Sequence, residues 1–395
     1  MKKRKKLLWA SPTNLLDTSS GFSLSVREML AQLFKNDYEV QILSAAIFDS
    51  KVGMSIVQKH KDFLSTNLGK FIDIEDDNLV HKTFITKSIV RDEMTSYEES
   101  VWFSAYLQIL DSFNPDIVFF YRNGLLELSI AREAKIRNIS TVVNLVNSSY
   151  SGKTWLRDVD LIITDSLATS KMYKDRENYD LVCIGDFLSK NRYIATKHTR
   201  KNLLFVNPIL QKGVIFIIQL ALYLEEIGSD IIIEVVNSRG NWQDILKHTT
   251  AFLGKERESL SNVYVTENTT DMKGVYSRAR LLLVPSFGFE SAGRVIAEAQ
   301  LNGIPVIGSS SGGIPEMIGD GGFVINFPKE FHIEPYTKLA NLTIIENVIS
   351  IIVKLYTDEQ YYNSYSQKAL SYASIHHNIE TNTKRLINSF NKLIE

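Results

Sequence analysis

Short runs of apolar residues alternate with stretches of helical periodicity along almost the whole chain. This alternation is typical of a parallel β-sheet whose strands are connected by crossover helices. In the first half, the pattern predicts helices at about residues 23–35 and 126–136, and strands at residues 6–10, 38–44, 117–121, 140–145, 161–164 and 181–184. Residues 45–100 show no clear period, and we expect loops and helices there, including a solvated acidic loop at residues 74–77.

A polar, basic segment at residues 189–202 is the candidate interdomain linker, because a second series of the same kind follows it. This series predicts helices at about residues 214–227, 272–278 and 292–301, and strands at residues 203–206, 231–236, 263–265, 281–284 and 305–308. We therefore predict an α/β protein with two Rossmann-like, doubly wound domains, at residues 1–198 and 199–372. Two such domains facing each other would hold a ligand in a central cleft, at the carboxyl ends of the strands.

Composition narrows the class of partner and the compartment. The 44 basic and 45 acidic residues nearly cancel, which gives no reason to expect nucleic acid as a partner. The single cysteine, Cys183, excludes an intramolecular disulfide and a cysteine-rich zinc site, so a reducing cytoplasm fits best. No window approaches the roughly 18 to 20 apolar residues of a membrane span. We expect the basic stretch from Lys2 to Lys6 to be a solvated tail; the alternative is a peripheral contact with anionic lipid at the inner face of a membrane.

One segment of the second half carries the candidate chemistry. A glycine-containing loop follows the strand at 281–284 and leads to Glu290, after which a helix is predicted to begin near Ser291. The small residues there leave amides open, and such a helix start binds anions such as phosphate. Glu298, further along this helix, can take both hydroxyls of a ribose with its two acceptor oxygens. The alternative is structural: Glu290 caps the helix and pairs with Arg294, and Glu298 is an ordinary surface residue.

This segment is part of a longer series of motifs with close spacing. The series consists of Gln211-Lys212-Gly213, Pro285-Ser286, Glu290 with Glu298, Gly303-Ile304-Pro305-Val306 and Gly312-Gly313-Ile314-Pro315-Glu316. It resembles the C-terminal half of the retaining glycosyltransferases of the two-Rossmann (GT-B) type, family 4 in particular. The first half resembles the same family more loosely, at Gly21, at Pro115 to Val118 and at Asp160 to Ser166.

The resemblance implies a metal-independent, retaining hexosyltransferase that moves a sugar from a nucleotide-diphosphate sugar to a glycan or lipid-linked acceptor. It implies no cofactor, and a UDP-sugar is expected as the donor in preference to a GDP-sugar. Family precedent points to the synthesis of bacterial surface polysaccharide or glycoconjugate. It also implies that a C-terminal helix, at residues 373–395, crosses back and packs on the N-terminal domain.

The resemblance also assigns roles to individual residues. Glu298 would bind the ribose, Glu290 would hold hydroxyls of the donor sugar, and Lys212 would neutralise the diphosphate leaving group. Prearranged cations and dipoles of this kind lower the barrier, because departure of a nucleoside diphosphate develops negative charge. We therefore expect Glu290 and Lys212 to be catalytic. The further donor-binding residues would be Gly21 and Ser20, with Ser19, in the first N-terminal loop, and Ala292, Gly293 and Arg294 at the helix start.

Two positions depart from the family pattern. Where members usually carry a Gly-Arg pair before the lysine, this chain has Asn207-Pro208, and Arg294 is the nearest substitute for the absent arginine. Where many members carry a histidine near the donor sugar, this chain has Asn147, which can donate a hydrogen bond but cannot act as an acid or base. The other histidines of this half are expected to be surface or core residues: His60, His81 and His198.

Two other functions stay open at this stage. A GT-B-fold nucleotide-sugar hydrolase or epimerase would use the same fold without a sugar acceptor. A catalytically silent partner would bind nucleotide only; the two departures favour this possibility, and the retention of Glu290, Glu298 and Lys212 argues against it. Asp158-Val159-Asp160 has the D-x-D form that holds a metal in a different glycosyltransferase fold, but we expect Asp160 to be structural.

Overall fold

The computed structural model describes residues 4–57 and 63–394. The chain divides into two compact units, the first formed by Met1–Phe187 with Ile379–Glu395 and the second by Leu188–Asn378. The polar segment at residues 189–202 belongs to the second unit. Three residues named in the sequence analysis, Lys2, Lys3 and His60, lie outside the described part of the chain.

An eight-stranded sheet forms the centre of the first unit. Its strands are β1 (Lys5–Ala10), β2 (Tyr38–Ala45), β3 (Phe71–Asp76), β4 (Leu79–Phe84), β5 (Ile117–Phe120), β6 (Ser140–Asn144), β7 (Leu161–Thr164) and β8 (Leu181–Cys183). Their order across the sheet is β3-β4-β2-β1-β5-β6-β7-β8. All neighbouring pairs are parallel except β3 and β4. The strand β5 is buried along its whole length, as expected for a parallel strand covered on both faces.

Residues 45–100 contain the predicted loops and helices, but the prediction missed β3 and β4, which form an antiparallel hairpin at the edge of the sheet. The acidic stretch at residues 74–77 is the end of β3 and its turn, with Asp77 in the left-handed region at φ 53°. Asp73 lies opposite Lys82 across the hairpin. Charged residues on an edge strand protect it from pairing with other chains, and they also remove the continuous apolar run by which the parallel strands were predicted.

Helices cover both faces of this first sheet. They are α1 (Gly21–Lys35), α2 (Phe63–Thr66), α3 (Ser96–Phe113), α4 (Leu125–Ile136) and α5 (Leu167–Glu177). On one face, Tyr106 of α3 and Ile130 of α4 belong to the same buried apolar cluster. On the opposite face, Leu30 of α1 belongs to a second cluster. The start of α3 is fixed by a capping box, in which Thr95 and Glu98 satisfy each other's backbone amides.

The second unit is built around a six-stranded, wholly parallel sheet. Its strands are β9 (Asn202–Val206), β10 (Ile233–Val236), β11 (Val263–Thr266), β12 (Ala279–Val284), β13 (Val306–Ser309) and β14 (Gly322–Ile325). They lie in the order β11-β10-β9-β12-β13-β14. The helices of this unit are α6 (Lys190–Tyr193), α7 (Val214–Glu226), α8 (Trp242–Phe252), α9 (Met272–Arg278), α10 (Arg294–Leu301), α11 (Ile314–Ile318), α12 (Leu342–Thr357) and α13 (Glu359–His376).

The last helix, α14 (Ile379–Ile394), belongs to the first unit although it follows the second along the chain. Its Phe390 is buried and makes an edge-on contact with Phe119 of β5, with ring centroids 5.8 Å apart. The Asn382 amide donates a hydrogen bond of 2.7 Å to the carbonyl of Asp186. A C-terminal helix therefore packs on the N-terminal unit, as the family resemblance implied.

Candidate active site

The second sheet has a topological switch point between β9 and β12. The chain leaves β9 towards β10 on one side, whereas β12 lies on the other side, so the loops after β9 and β12 diverge at their carboxyl ends. Such a point is where open α/β sheets bind their ligands. The two loops are joined by their backbones, because the carbonyl of Gln211 accepts hydrogen bonds from the amides of Phe287 (2.9 Å) and Gly288 (3.0 Å).

Lys212 and Glu290 meet at this switch point. The ammonium group of Lys212, in the loop after β9, forms an ion pair with the carboxylate of Glu290, in the loop after β12. Their side chains are 22% and 13% exposed, so the pair is sheltered but reachable from solvent. Gly213 makes this approach possible, because it has φ 79° and a Cβ atom on it would lie 2.3 Å from the carbonyl oxygen of Pro285.

The Gly-Gly-Ile-Pro-Glu loop holds the backbone of Glu290. The amide of Gly313 donates a hydrogen bond of 2.8 Å to the carbonyl of Glu290. Gly312 has φ 57°, and a Cβ atom at that position would lie 1.9 Å from the same carbonyl oxygen. The hydroxyl of Ser311 donates to the carbonyl of Gly288 at 2.7 Å. The loop that the sequence analysis treated as a family motif thus positions the predicted catalytic glutamate.

The predicted start of the next helix was wrong by three residues. The helix α10 begins at Arg294, and Gly293 precedes it as a left-handed N-cap residue at φ 79°. Glu290 therefore lies in the loop and shares no helical face with Arg294. The buried Ala292, 3% exposed, also lies before the helix. The left-handed glycine changes the chain direction, so the helical period could not be extended back to Ser291.

Glu298 is buried in α10 and is held by two side chains. It is 4% exposed, and its Oε1 accepts a hydrogen bond of 2.9 Å from Nε of Arg294. Its Oε2 accepts a hydrogen bond of 2.7 Å from the hydroxyl of Tyr276, in α9. Burial, followed by the neighbouring Glu298 carboxylate, holds the pKa of Tyr276 well above its ordinary value. Tyr276 is therefore a hydrogen-bond donor at neutral pH, and Glu298 is not the ordinary surface residue of the structural alternative.

Arg294 has a further partner in the second unit. Its Nη2 donates a hydrogen bond of 3.1 Å to the hydroxyl of Tyr193, in α6. The guanidinium carbon also lies 5.1 Å from the centroid of the Tyr193 ring. Arg294 and Glu298 stand in the family motif of the sequence, whereas no motif indicated Tyr193 or Tyr276. The only sequence signal for Tyr276 was its place in a predicted helix, which does not show what a side chain faces.

The predicted loop of the first unit is tied together by its own side chains. Gly21 is the first residue of α1, and Ser20 is its N-cap without a side-chain capping bond. The hydroxyl of Ser19 donates to Oδ1 of Asp17 at 2.7 Å, and the other oxygen of Asp17 accepts the amide of Asp49 at 2.6 Å. Burial raises the pKa of Asp17, and these hydrogen bonds oppose the rise. The loop that carries Gly21 and Ser20 is therefore pinned to the loop after β2.

Asn147 lies beyond the carboxyl end of β6 and is held from two sides. Its Nδ2 donates to the hydroxyl of Tyr121 at 3.2 Å, and its Oδ1 accepts the amide of Ser149 at 3.0 Å. Of the histidines considered for this half, His81 is fully buried in β4. Burial and the nearby Arg27 lower its pKa to about 3. His81 therefore stays neutral in the folded chain at physiological pH and lies in the core.

The described residues were predicted to hold neither a metal site nor a membrane span. In residues 4–57 and 63–394, no group of three or more His, Cys, Asp or Glu side chains is placed to hold a metal ion. Asp160 of the D-x-D stretch accepts hydrogen bonds from Lys135 (2.7 Å) and from the amide of Thr141 (2.8 Å). Within this same described part, none of the helices is long and apolar enough to cross a membrane.

Residues 200–334 match the family model described as glycosyl transferases group 1. The matched region contains Lys212, Glu290 and Glu298 and ends within the second unit. No curated protein sequence matches the chain.

Solved structures of low sequence identity share the fold of this chain over nearly their full lengths. A glycosyltransferase from Rickettsia africae superposes with a TM-score of 0.67 at 13% identity, covering 100% of both chains. HepE from Anabaena, in complex with UDP and glucose, has a TM-score of 0.66 at 16% identity and covers 98% of this chain and 100% of its own. Sucrose-phosphate synthase from Thermosynechococcus elongatus has a TM-score of 0.68 at 13% identity, with 99% of each chain covered. These likenesses confirm the predicted GT-B fold.

Proposed function

We propose that this chain is a retaining glycosyltransferase that transfers a hexose from a UDP-sugar to a glycan or lipid-linked acceptor without a metal ion. The observation that carries the proposal is the ion pair of Lys212 and Glu290 at the switch point of the second sheet. A cation and a carboxylate on neighbouring loops supply one group for a diphosphate and one for sugar hydroxyls. The complexes of HepE with UDP and with UDP-glucose support uridine as the base.

In this proposal the acceptor oxygen attacks the anomeric carbon on the face from which UDP departs. The bond from that carbon to the phosphate oxygen breaks, and the acceptor proton passes to the departing phosphate oxygen. Lys212 offsets the charge that develops on this oxygen, and Glu290 accepts hydrogen bonds from hydroxyls of the sugar. Glu298 binds the ribose. The backbone amides of Ala292 and Gly293 contact the diphosphate.

The acceptor and the place of action are proposed from the family resemblance. A surface polysaccharide or glycoconjugate intermediate on a lipid carrier would present the acceptor at the inner face of a membrane. The enzyme would then act in the cytoplasm, with a peripheral contact to that membrane. Lys5 and Lys6 would not make this contact: they begin β1 and are not in a solvated tail, and their ammonium groups donate to Asn391 and to the carbonyl of Phe113.

The test is product analysis with a panel of UDP-, GDP- and ADP-sugars, each with and without lipid-linked and free glycan acceptors. We expect mass spectrometry to show a hexose added to one acceptor class from a UDP-sugar, and proton NMR to show the anomeric configuration of the donor retained. Rapid turnover of donor without acceptor would instead establish a hydrolase or epimerase. Nucleotide binding with no turnover across the panel would establish a silent partner.

A further inference from the structure

The Glu298 carboxylate is held more tightly than a carboxylate exposed in a cleft. It is 4% exposed, and both oxygens accept hydrogen bonds from side chains of the same unit, Arg294 at 2.9 Å and Tyr276 at 2.7 Å. The donors come from different elements, since Arg294 begins α10 and Tyr276 lies in α9. The orientation of the carboxyl plane is therefore fixed from two directions.

Each of the two donors is itself fixed by the surrounding structure. Arg294 also donates to the hydroxyl of Tyr193 at 3.1 Å, and its guanidinium carbon lies 5.1 Å from the centroid of that ring, so Tyr193 gives the guanidinium a second support. Tyr276 is fully buried within the apolar cluster that also contains Ile296 and Ala297. A side chain packed in this way has little rotamer freedom, so it presents its hydroxyl at one position.

We propose that Tyr276 and Arg294 are positioning residues that orient the Glu298 carboxylate for the ribose hydroxyls of the donor nucleotide. This inference rests on the proposed function, because it takes Glu298 as the ribose ligand. Each oxygen of an ionised carboxylate can accept more than one hydrogen bond, so a protein donor on an oxygen does not prevent a ribose hydroxyl from binding to it. Arg294 therefore serves the ribose carboxylate, whereas the sequence analysis considered it as a substitute for the absent phosphate-binding arginine.

A purely structural role for the Tyr276 hydroxyl predicts a different outcome from a positioning role. If the hydrogen bond only stabilises the fold, removing the hydroxyl lowers the melting temperature and leaves the contribution of the ribose to binding unchanged. If the hydrogen bond orients Glu298, removing the hydroxyl lowers the affinity for UDP. The decrease is then smaller for a nucleotide that lacks a ribose hydroxyl. A thermodynamic cycle between the protein variant and the ligand variant separates these two cases.

The experiment is isothermal titration of UDP, 2′-deoxy-UDP and 3′-deoxy-UDP into the wild-type protein, Tyr276→Phe and Tyr356→Phe. Tyr356 is a matched control in the same unit, because its buried hydroxyl has no hydrogen-bond partner and the ring is retained. We expect Tyr276→Phe to lower UDP affinity by roughly tenfold, the effect typical of a hydrogen bond to a charged group. We also expect the preference for UDP over the deoxy analogues to shrink in this variant, and Tyr356→Phe to behave as wild type.

Three results would overturn the proposal, and they differ in meaning. An unchanged UDP preference in Tyr276→Phe would refute the positioning role alone and leave the proposed function standing. UDP binding by the wild type with no preference over either deoxy analogue would refute Glu298 as ribose ligand. No UDP binding by the wild type would refute the proposed donor, and the inference with it. If Tyr276→Phe fails to fold, Arg294→Met gives the same test, with the same reduced preference expected.

Discussion

Lys212 and Glu290 form an ion pair, and this pairing defines what each residue contributes. Lys212 brings a positive charge to the loop after β9, and the carboxylate of Glu290 holds the ammonium group in place. When a diphosphate binds, the ammonium group gains a second anionic partner. A charge that is already in place stabilises the developing negative charge more strongly in a sheltered site than in water. The surrounding dipoles have little need to reorient as that charge develops.

Replacing Lys212 with alanine should therefore impair the chemical step. We expect Lys212→Ala to lower kcat by about 10²- to 10³-fold, the range found when a preorganised charge-stabilising donor is removed. The rate of UDP release from the donor measures the effect. The matched control is Lys247→Ala, which removes a 52%-exposed lysine from an ion pair on α8 of the same unit and should leave kcat unchanged. Wild-type turnover by Lys212→Ala would show that Lys212 is not part of the catalytic site.

At the residue scale, the sequence indicated candidate side chains but not their partners. The series of motifs around Glu290 and Glu298 singled out both glutamates, which their spacing alone would not have done. The partners of Glu298 include Tyr276, which is 22 residues away along the chain and meets it only in the folded unit. Hydrogen bonds between elements depend on packing angles and rotamers, and no local sequence pattern encodes these.

At the scale of elements, left-handed glycines determine how the loops of the second unit meet. Gly293 sets the start of α10, Gly213 lets α7 begin beside the end of β12, and Gly312 brings the Gly-Gly loop against Glu290. Hydrophobic periodicity predicted eleven of the fourteen strands in the described residues, but it missed β3, β4 and β14 and helices such as α5, α8 and α12. It also misplaced the start of α10, because a positive φ is not visible in the pattern of apolar residues.

Gly312→Ala tests whether the Gly-Gly loop positions Glu290. The new methyl group would be strained at φ 57° and would lie 1.9 Å from the Glu290 carbonyl oxygen. We expect the free energy of unfolding to fall by about 2 to 4 kcal/mol and transfer activity to fall with it. Thermal unfolding and turnover are measured on the same preparation.

Gly254→Ala provides the control for backbone strain alone. Gly254 has φ 74° and nothing within 4 Å of a Cβ position, so only the strain of about 1 to 2 kcal/mol is expected, with activity kept. Equal losses of activity in the two variants would show that contact with Glu290 is not what Gly312 provides.

At the scale of the whole molecule, His81 makes the stability of the first unit sensitive to acid. Its pKa is lowered to about 3 by burial and by Arg27, whereas an unfolded histidine titrates near 6.5. Between these values the unfolded chain binds a proton that the folded chain does not. Above about pH 6.5, His81 therefore does not reduce the free energy of unfolding. As the pH falls from 6.5 towards 3, the free energy of unfolding decreases because the unfolded chain takes up this proton.

We expect His81→Leu to remove this dependence. For a single group with these pKa values, the free energy of unfolding falls by about 2 kcal/mol between pH 7 and pH 5, and the variant should be spared this loss. Urea unfolding followed by tryptophan fluorescence measures it, since Trp9, Trp102 and Trp155 all lie in the first unit. The exposed His248→Gln serves as control and should follow the wild type. Identical pH profiles for the wild type and His81→Leu would exclude His81 as the cause.

Nucleotide binding by the second unit is the most direct test of the proposed donor site. The measurement is the shift in melting temperature with UDP, GDP, ADP, UMP and uridine, for the wild type and for Lys212→Ala. A ligand that binds only the folded state raises its stability in proportion to the logarithm of its concentration over Kd. We predict the largest stabilisation by UDP, a smaller one by UMP, and a reduced UDP effect in Lys212→Ala. The absence of stabilisation by any nucleoside diphosphate would contradict the assignment of this site.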